Sequence, residues 1–118
     1  MKLVTSWLNF KMNDLTLIIP AKFEADSLPN VLDEIKDLDC KKKVILESSD
    51  KETIKAAQNF DCEIIYQKNK GYGDALITGI ESVETNYLCI FNADGSFDPK
   101  YLRSMLLSCK NLDFVFAS

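Results

Sequence analysis

Short, almost uninterrupted apolar runs alternate along this chain with stretches whose apolar residues recur every three or four positions. Apolar runs of this length are typical of strands buried on both faces of a sheet, and the second spacing is typical of amphipathic helices. Regular alternation of the two predicts an α/β fold, a Rossmann-like three-layer α/β/α arrangement with a mostly parallel sheet. The predicted strands are residues 15–19, 44–46, 63–66, 87–91 and 112–117.

The first residues of the helices are predicted from capping and proline. A cap at Asp26 or Ser27, with Pro29 in the first turn, precedes apolar residues that share one helical face. Ser49 followed by Glu52 is a capping-box signature and predicts the start of the second helix. Two further helices are predicted after 71–73 and at 98–99.

Composition excludes several classes of protein. The 118 residues suit one domain, and a net charge of −4 without a basic, aromatic-rich stripe argues against nucleic acid. The chain has no histidine and no Cys-x-x-Cys pair, which excludes zinc fingers and Ser-His-Asp catalysis.

The four cysteines are expected to be reduced, as in cytoplasmic proteins, although the sequence leaves a disulfide possible. The basic run 41–43 is interpreted as a solvated loop entering a strand, and no run is long enough to span a membrane.

Acids and glycines cluster just after the predicted strands. In a parallel sheet, ligands bind beyond the carboxyl ends of the strands, where the strand order reverses. The segments that follow the first four strands are therefore the candidate site: residues 20–27, 47–50, 67–73 and 92–98.

The segment Asn92-Ala93-Asp94 carries the strongest chemical signal. An amide and a carboxylate on one side of an extended chain offer oxygen ligands suited to Mg²⁺ or Mn²⁺. Such a cation would bridge two phosphates of a nucleotide and offset charge on a leaving diphosphate. An ordinary Asp-Gly turn at 94–95 explains the same residues about as well.

The other strand ends are ambiguous when taken singly. Gly71 and Gly73 open a helix and are suited to bring backbone amides near a phosphate, but a tight turn without a ligand is the simpler interpretation. Glu24 is either a ligand-facing acid or a solvated loop residue. Glu47 is either an acceptor for a base or ribose, or a charged strand terminus.

In order and spacing, four segments resemble family 2 glycosyltransferases of the A-type fold, the nucleotide-diphospho-sugar transferase fold. They are residues 17–24, similar to the family's strand, Pro and Asn-Glu pair; 44–53, similar to Asp-Asp-Gly-Ser…Thr; 69–80, similar to Asn-x-Gly-x-(Gly)-x-Ala…Gly; and 92–99, similar to Asp-x-Asp and Pro. The stretches 69–80 and 92–94 lean toward the dolichyl-phosphate-mannose-synthase-like branch, whose acceptors are polyprenyl phosphates.

The resemblance implies a transfer of sugar from a UDP- or GDP-sugar, with Mg²⁺ or Mn²⁺. By position, Pro20, Ala21 and Glu24 would line the nucleotide pocket, Glu47 would contact the base, and Asp94 would hold the metal and diphosphate. The remaining residues expected at the nucleotide sugar are Ser49, Gly71, Gly73, Asn92 and Ala93. The chain departs from the family twice, since Leu46 and Asn92 each replace an Asp.

The resemblance also implies a division of the chain. Residues 1–14 are interpreted as an N-terminal extension, before the first regular element, and 15–118 as the nucleotide-sugar-binding half of a glycosyltransferase domain. The acceptor site and the catalytic base are expected downstream of Ser118. A fragment that stops there would leave an apolar sheet edge suited to self-association. The expected location is the cytoplasm, or the cytoplasmic face of a membrane.

Two other functions are considered. The first is a nucleotide-binding or interaction module of the same fold without catalysis, which Leu46 and Asn92 favour. The second is a sugar-phosphate nucleotidyltransferase. That class carries a glycine-rich basic loop after the first strand, and residues 21–24 contain no glycine, which argues against it.

Overall fold

The computed structural model describes residues 2–4, 12–91, 93 and 114–116. In chain order the elements are β1 (Lys2–Val4), a 3₁₀ turn (Met12–Asp14), β2 (Leu15–Pro20), α1 (Leu28–Ile35), β3 (Lys41–Leu46), α2 (Lys51–Ala57), β4 (Glu63–Tyr66), α3 (Tyr72–Glu81), β5 (Tyr87–Ile90) and β6 (Phe114–Phe116). Four of the strands form one parallel sheet in the order β4-β3-β2-β5. The predicted α/β fold with a parallel sheet and interleaved helices is confirmed.

The sheet is covered by helices on both faces. Leu15, Leu17 and Ile19 of β2 pack in a core shared with α1 and α2. The alternate side chain Ile18 packs with Ala75 of α3 in a second core. Because side chains alternate along a strand, β2 contributes to both cores and is buried at all six positions. These are the three layers that the sequence predicts.

Helix α1 follows the predicted pattern closely. Its buried residues are Leu28, Val31, Leu32 and Ile35, which is the predicted helical face. Ser27 is the N-cap residue and Pro29 lies in the first turn, as expected. The Ser27 side chain, however, makes no capping bond to α1, because its hydroxyl is engaged elsewhere, as described below.

The predicted start of the second helix is wrong by one residue. Asp50, rather than Ser49, is the N-cap of α2, and its Oδ1 accepts a hydrogen bond from the Thr53 amide at 3.4 Å. Ser49 is exposed. Asp50 takes the position because its buried carboxylate also has a partner in the loop after β2, which a hydroxyl at position 49 does not contact.

The basic run is not the solvated loop that the sequence suggested. Residues 41–43 are the first half of β3, where they pair with Thr16–Ile18 of β2. The side chain of Lys43 is buried, and its ammonium donates to the carbonyl of Ser82 at the end of α3 and lies 3.5 Å from a carboxylate oxygen of Glu63. The negative end of the helix dipole and the Glu63 carboxylate together stabilise this charge.

The two ends of the chain differ from prediction. The segment Lys2–Val4 is a strand, so a regular element precedes residue 15, contrary to the expectation for the extension. It pairs antiparallel with Phe114–Phe116 in a separate two-stranded sheet. The segment expected to extend the parallel sheet as its fifth strand therefore pairs with the amino-terminal residues instead. The predicted helix at 98–99 lies outside the described residues.

Strand β5 is less buried than its apolar sequence predicts. It pairs with β2 and stands last in the strand order, and Ile90 is 39% exposed. A strand at the end of a sheet has fewer covering neighbours than a central strand such as β2.

Candidate functional site

The strand order reverses between β2 and β5, and a cavity lies at that point. From β2 the chain moves outward through β3 to β4, and α3 then carries it back to β5 on the other side of β2. At the carboxyl ends of these strands is a cavity of about 180 Å³. Its lining residues are Pro20, Ala21, Lys22, Glu24, Gln67, Gly71, Tyr72, Ala75 and Ala93.

Half of the predicted site residues meet in this cavity. Pro20 ends β2, Ala21 and Glu24 lie in the loop that follows, Gly71 precedes α3, and Ala93 follows β5. They lie beyond the carboxyl ends of the strands, where the sequence predicts the candidate site. Their role in ligand binding stays a prediction.

The other predicted residues are placed differently. Glu47 is half-buried, while Ser49 and Gly73 are exposed, and none of the three lines the cavity. Asn92 and Asp94 lie outside the described residues.

The Glu24 carboxylate is fixed through Ser27. The Ser27 hydroxyl lies 2.6 Å from Glu24 Oε2 and 2.6 Å from the carbonyl oxygen of Ala93, and it donates its one proton to either acceptor. The loop after β2 is thereby connected to the segment after β5, which carries Ala93. This contact explains why Ser27 does not cap its own helix.

The loop between β4 and α3 is held by two side chains. The Gln67 side-chain amide donates to the carbonyls of Asn69 (3.0 Å) and Gly71 (2.9 Å). The Asp74 carboxylate accepts from the backbone amides of Asn69 and Lys68, each at 3.1 Å. These bonds, first of all the one from the Asn69 amide, lower the pKa of Asp74 below its ordinary value. The loop that forms one wall of the cavity is therefore tied to the first turn of α3.

Helix α3 begins at the cavity. Gly71 is its N-cap residue and has a φ of +104°, a conformation that glycine adopts without the penalty of a Cβ atom. The first turn contributes Tyr72 and Ala75 to the lining. The positive end of the helix dipole is thus close to the cavity, where it favours negatively charged ligands.

Four lining residues, and the residue that holds the adjacent loop, were not singled out from the sequence. Lys22, Gln67 and Tyr72 lie within the predicted segments 20–27 and 67–73, and Ala75 lies two residues beyond Gly73, but strand-end position does not distinguish them from their neighbours. Asp50 is 6% exposed and accepts a 2.8 Å hydrogen bond from the amide of Phe23. The available signal for Asp50 was its residue type, because Asp is as favourable an N-cap as Ser.

The described residues alone do not form a metal site. In the described ranges there is no cluster of three or more acidic, cysteine or histidine residues suited to hold a metal ion. Among the residues that line the cavity, Glu24 supplies the one carboxylate. Leu46, at the position of a family Asp, is fully buried in the core beneath α1 and α2. The expected ligand, Asp94, lies outside the part of the chain described.

A second cavity lies at the opposite, amino-terminal ends of β3 and β4. It measures about 300 Å³ and is lined by residues 40–43 and 61–63. Burial raises the pKa of the thiols of Cys40 and Cys62, which favours their protonated form. Neither is in a disulfide. This cavity contains no residue predicted for the site.

Within the described part of the chain, each helix is too short or too polar to cross a lipid bilayer.

Comparison with known proteins relates most of the chain to one family. The sequence model of glycosyl transferase family 2 matches residues 16–118. Uncharacterized glycosyltransferases of Mycobacterium bovis and of two strains of Mycobacterium tuberculosis are each 29% identical over 84 residues. The aligned part covers 71% of this chain and 38% of each relative, so the chain spans less than half the length of the curated relatives it matches.

Proposed function

The chain belongs to glycosyl transferase family 2, and on that premise we propose that it binds the donor, a nucleotide-diphosphate sugar, for transfer of the sugar to an acceptor. The observation that carries the proposal is the cavity between β2 and β5, in which Pro20, Ala21, Glu24, Gly71 and Ala93 meet. Residues from three separate segments, after β2, β4 and β5, converge there at the place where parallel sheets bind ligands.

The size and charge of the cavity fit part of a nucleotide sugar. Whole ligand pockets usually measure about 300–1,000 Å³, so a cavity of about 180 Å³ accommodates one portion of such a ligand. The beginning of α3 favours a diphosphate, and Lys22, which also lines the cavity, adds a positive charge nearby. Glu24 is suited to accept hydrogen bonds from hydroxyl groups of a ribose or sugar.

We include a divalent cation, Mg²⁺ or Mn²⁺, in the proposal on the strength of the sequence. Asp94 would hold it together with the diphosphate, and Asn92 would offer a neutral amide oxygen. When bound, the cation offsets the charge that develops on the departing diphosphate. The chain's own described residues bind and orient the donor beside it.

For the acceptor we propose a polyprenyl phosphate, supported by the resemblance of residues 69–80 and 92–94 to the dolichyl-phosphate-mannose-synthase-like branch. Such an acceptor would place the reaction at a membrane face. Activity measured with polyprenyl phosphate and with soluble sugars as acceptors separates this part of the proposal from donor binding.

Donor binding is tested by thermal unfolding of the 118-residue chain. With UDP-glucose or GDP-mannose and Mn²⁺ at about ten times the Kd, we expect the Tm to rise by several degrees. Asp94→Ala and Glu24→Gln should remove or reduce the rise. Glu52→Gln changes an exposed side chain in the first turn of α2; it is the matched control and should retain the rise. If neither nucleotide sugar raises the Tm, the proposal of donor binding is wrong.

One observation favours a second candidate, a nucleotide-binding module without catalysis. The buried Leu46 leaves no acid at that position for the cavity. Donor binding without sugar transfer by any longer form of the protein would support this module, whereas transfer would exclude it.

A further inference from the structure

Phe23, at the rim of the cavity, has an unfavourable backbone conformation. Its φ of +54° lies in the left-handed region, which bulky side chains rarely adopt. Its side chain is 74% exposed, so burial in the core does not compensate for this conformation. Something else in the structure must hold the backbone here.

Two side chains at the start of α2 hold the backbone at Phe23 and Glu24. The Phe23 amide donates to Asp50 Oδ2 at 2.8 Å, and the Glu24 amide donates to Thr53 Oγ1 at 3.2 Å. Asp50 is 6% exposed and Thr53 is fully buried, and hydrogen bonds are most strongly required where polar groups are withdrawn from water. We call this pair of contacts the Asp50–Thr53 clamp.

The clamp acts on the residue that carries the cavity's carboxylate. Glu24 follows Phe23 directly and lines the cavity, and its carboxylate contacts the Ser27 hydroxyl. The Glu24 carbonyl accepts the amide of Leu28, which begins α1. A change of φ at Phe23 would therefore redirect Glu24 and disturb its contact with Ser27.

We propose that Asp50 is a positioning residue for the donor site: it holds the loop 21–24 in its strained conformation and so keeps the Glu24 carboxylate in the cavity. Asp50 does not line the cavity, and it acts through Phe23 and Glu24. The inference rests on the proposed function, because it assigns Asp50 a part in donor binding. This role is additional to capping α2. The cap uses Oδ1 of Asp50, whereas Oδ2 accepts the hydrogen bond from the Phe23 amide.

The test uses a variant that keeps the cap and loses the clamp. In Asp50→Ser the hydroxyl is a good N-cap for α2, but one short side chain cannot also serve the Phe23 amide. We expect the Kd for UDP-glucose or GDP-mannose, measured by calorimetry with Mn²⁺, to rise by up to about tenfold, because losing one hydrogen bond to a charged group lowers the population of the binding-competent loop by up to about this factor. The control Glu52→Ser, on the same turn, should bind as the parent chain does.

A second substitution distinguishes positioning from a structural role. Asparagine adopts the left-handed region readily, so Phe23→Asn lessens the need for the clamp. The double variant Asp50→Ser with Phe23→Asn should recover most of the lost affinity. A role confined to capping α2 predicts no such recovery, because the cap does not involve Phe23.

Hydrogen exchange of the ligand-free chain separates the clamp from the proposed function. In Asp50→Ser, the amides of Phe23 and Glu24 should exchange faster than in the parent chain. Unchanged exchange and unchanged affinity would overturn the proposal. If the parent chain binds neither nucleotide sugar, the proposed function fails and with it the assignment of Asp50 to donor binding, whereas faster exchange in Asp50→Ser still shows that Asp50 holds the loop 21–24.

If Asp50→Ser does not fold, the clamp is tested by donor binding to variants of Thr53. Thr53→Val removes the acceptor of the Glu24 amide at nearly constant volume, and Thr53→Ser retains it. Weaker donor binding by Thr53→Val than by Thr53→Ser supports the clamp, and equal binding contradicts it.

Discussion

Gly79 lies where helix α3 passes closest to the sheet. A Cβ atom at this position would lie 2.6 Å from Ile18 Cγ2 and 3.2 Å from Ile45 Cγ1. Both isoleucines are fully buried in the core on this side of the sheet. The absence of a side chain at Gly79 therefore sets the distance of α3 from β2 and β3, and with it the position of the cavity wall that α3 forms.

Gly79→Ala should destabilise the protein. The new methyl group requires buried isoleucines or α3 itself to move, which typically costs about 1–3 kcal/mol. Gly73→Ala is the matched control in the same helix, because nothing lies within 4 Å of its Cβ position. It should be neutral or stabilising by about 0.5–1 kcal/mol. Urea unfolding of both variants measures the difference, and equal stability would refute the close approach at Gly79.

At the residue scale, the sequence predicts which residues lie at the cavity better than it predicts the hydrogen bonds between distant residues. Pro20, Ala21, Glu24 and Gly71 could be placed at the cavity because they lie at the end of a strand, in the loop after it or at the start of a helix. The left-handed conformation of Phe23 could not be predicted, because it depends on a hydrogen bond from a residue 27 positions away. The choice of Asp50 over Ser49 as a cap depends on the same contact.

At the scale of elements, the loop between β4 and α3 depends on one carboxylate. Asp74 accepts hydrogen bonds from the backbone amides of Lys68 and Asn69, and Gln67 closes the loop from its other end. The hydrogen bonds favour the ionised form of Asp74 and lower its pKa from the ordinary value of 3.8. The conformation of this cavity wall is therefore linked to pH.

The sign of this linkage is fixed by the direction of the shift. A carboxyl group with a lowered pKa in the folded state stabilises the fold above its ordinary pKa, and this contribution disappears as the pH falls through the lowered value. We expect the parent chain to be more stable than Asp74→Asn above about pH 5, with the difference shrinking below the ordinary pKa of 3.8.

The pKa of Asp74 can be measured by NMR from the chemical shifts of the Lys68 and Asn69 amide protons during acidification. They should titrate with a midpoint below 3.8. A midpoint at or above this value, or equal acid sensitivity of the parent chain and Asp74→Asn, would contradict the account of this loop.

The elements could largely be predicted, because apolar spacing is a local property of the sequence. The apolar runs at 15–19 and 63–66 lie in β2 and β4, and the helical spacing of apolar residues from Leu28 to Ile35 lies in α1. The failures are those in which distant partners decide the structure. Lys43 is buried because α3 ends above it, and 114–116 pair with 2–4 instead of joining the parallel sheet.

At the scale of the whole molecule, the strand order determines where a ligand can bind. The order β4-β3-β2-β5 reverses beside β2, and the loops after β2, β4 and β5 meet there. The second cavity lies at the other end of β3 and β4 and offers thiols, lysines and acids from neighbouring strand starts. Of these two cavities in the described part of the chain, the first is the one that combines residues assigned by the family resemblance to the nucleotide sugar.

The most direct test of donor binding at the first cavity is an NMR titration of the ¹⁵N-labelled chain with UDP-glucose and with GDP-mannose, each with Mg²⁺, which is diamagnetic. The account predicts that the amide signals of Ala21, Glu24, Gly71 and Ala93 shift on addition of one of these donors, while those of Cys40 and Cys62 at the opposite cavity do not. Shifts confined to the opposite cavity, or no shifts with either donor, would contradict it.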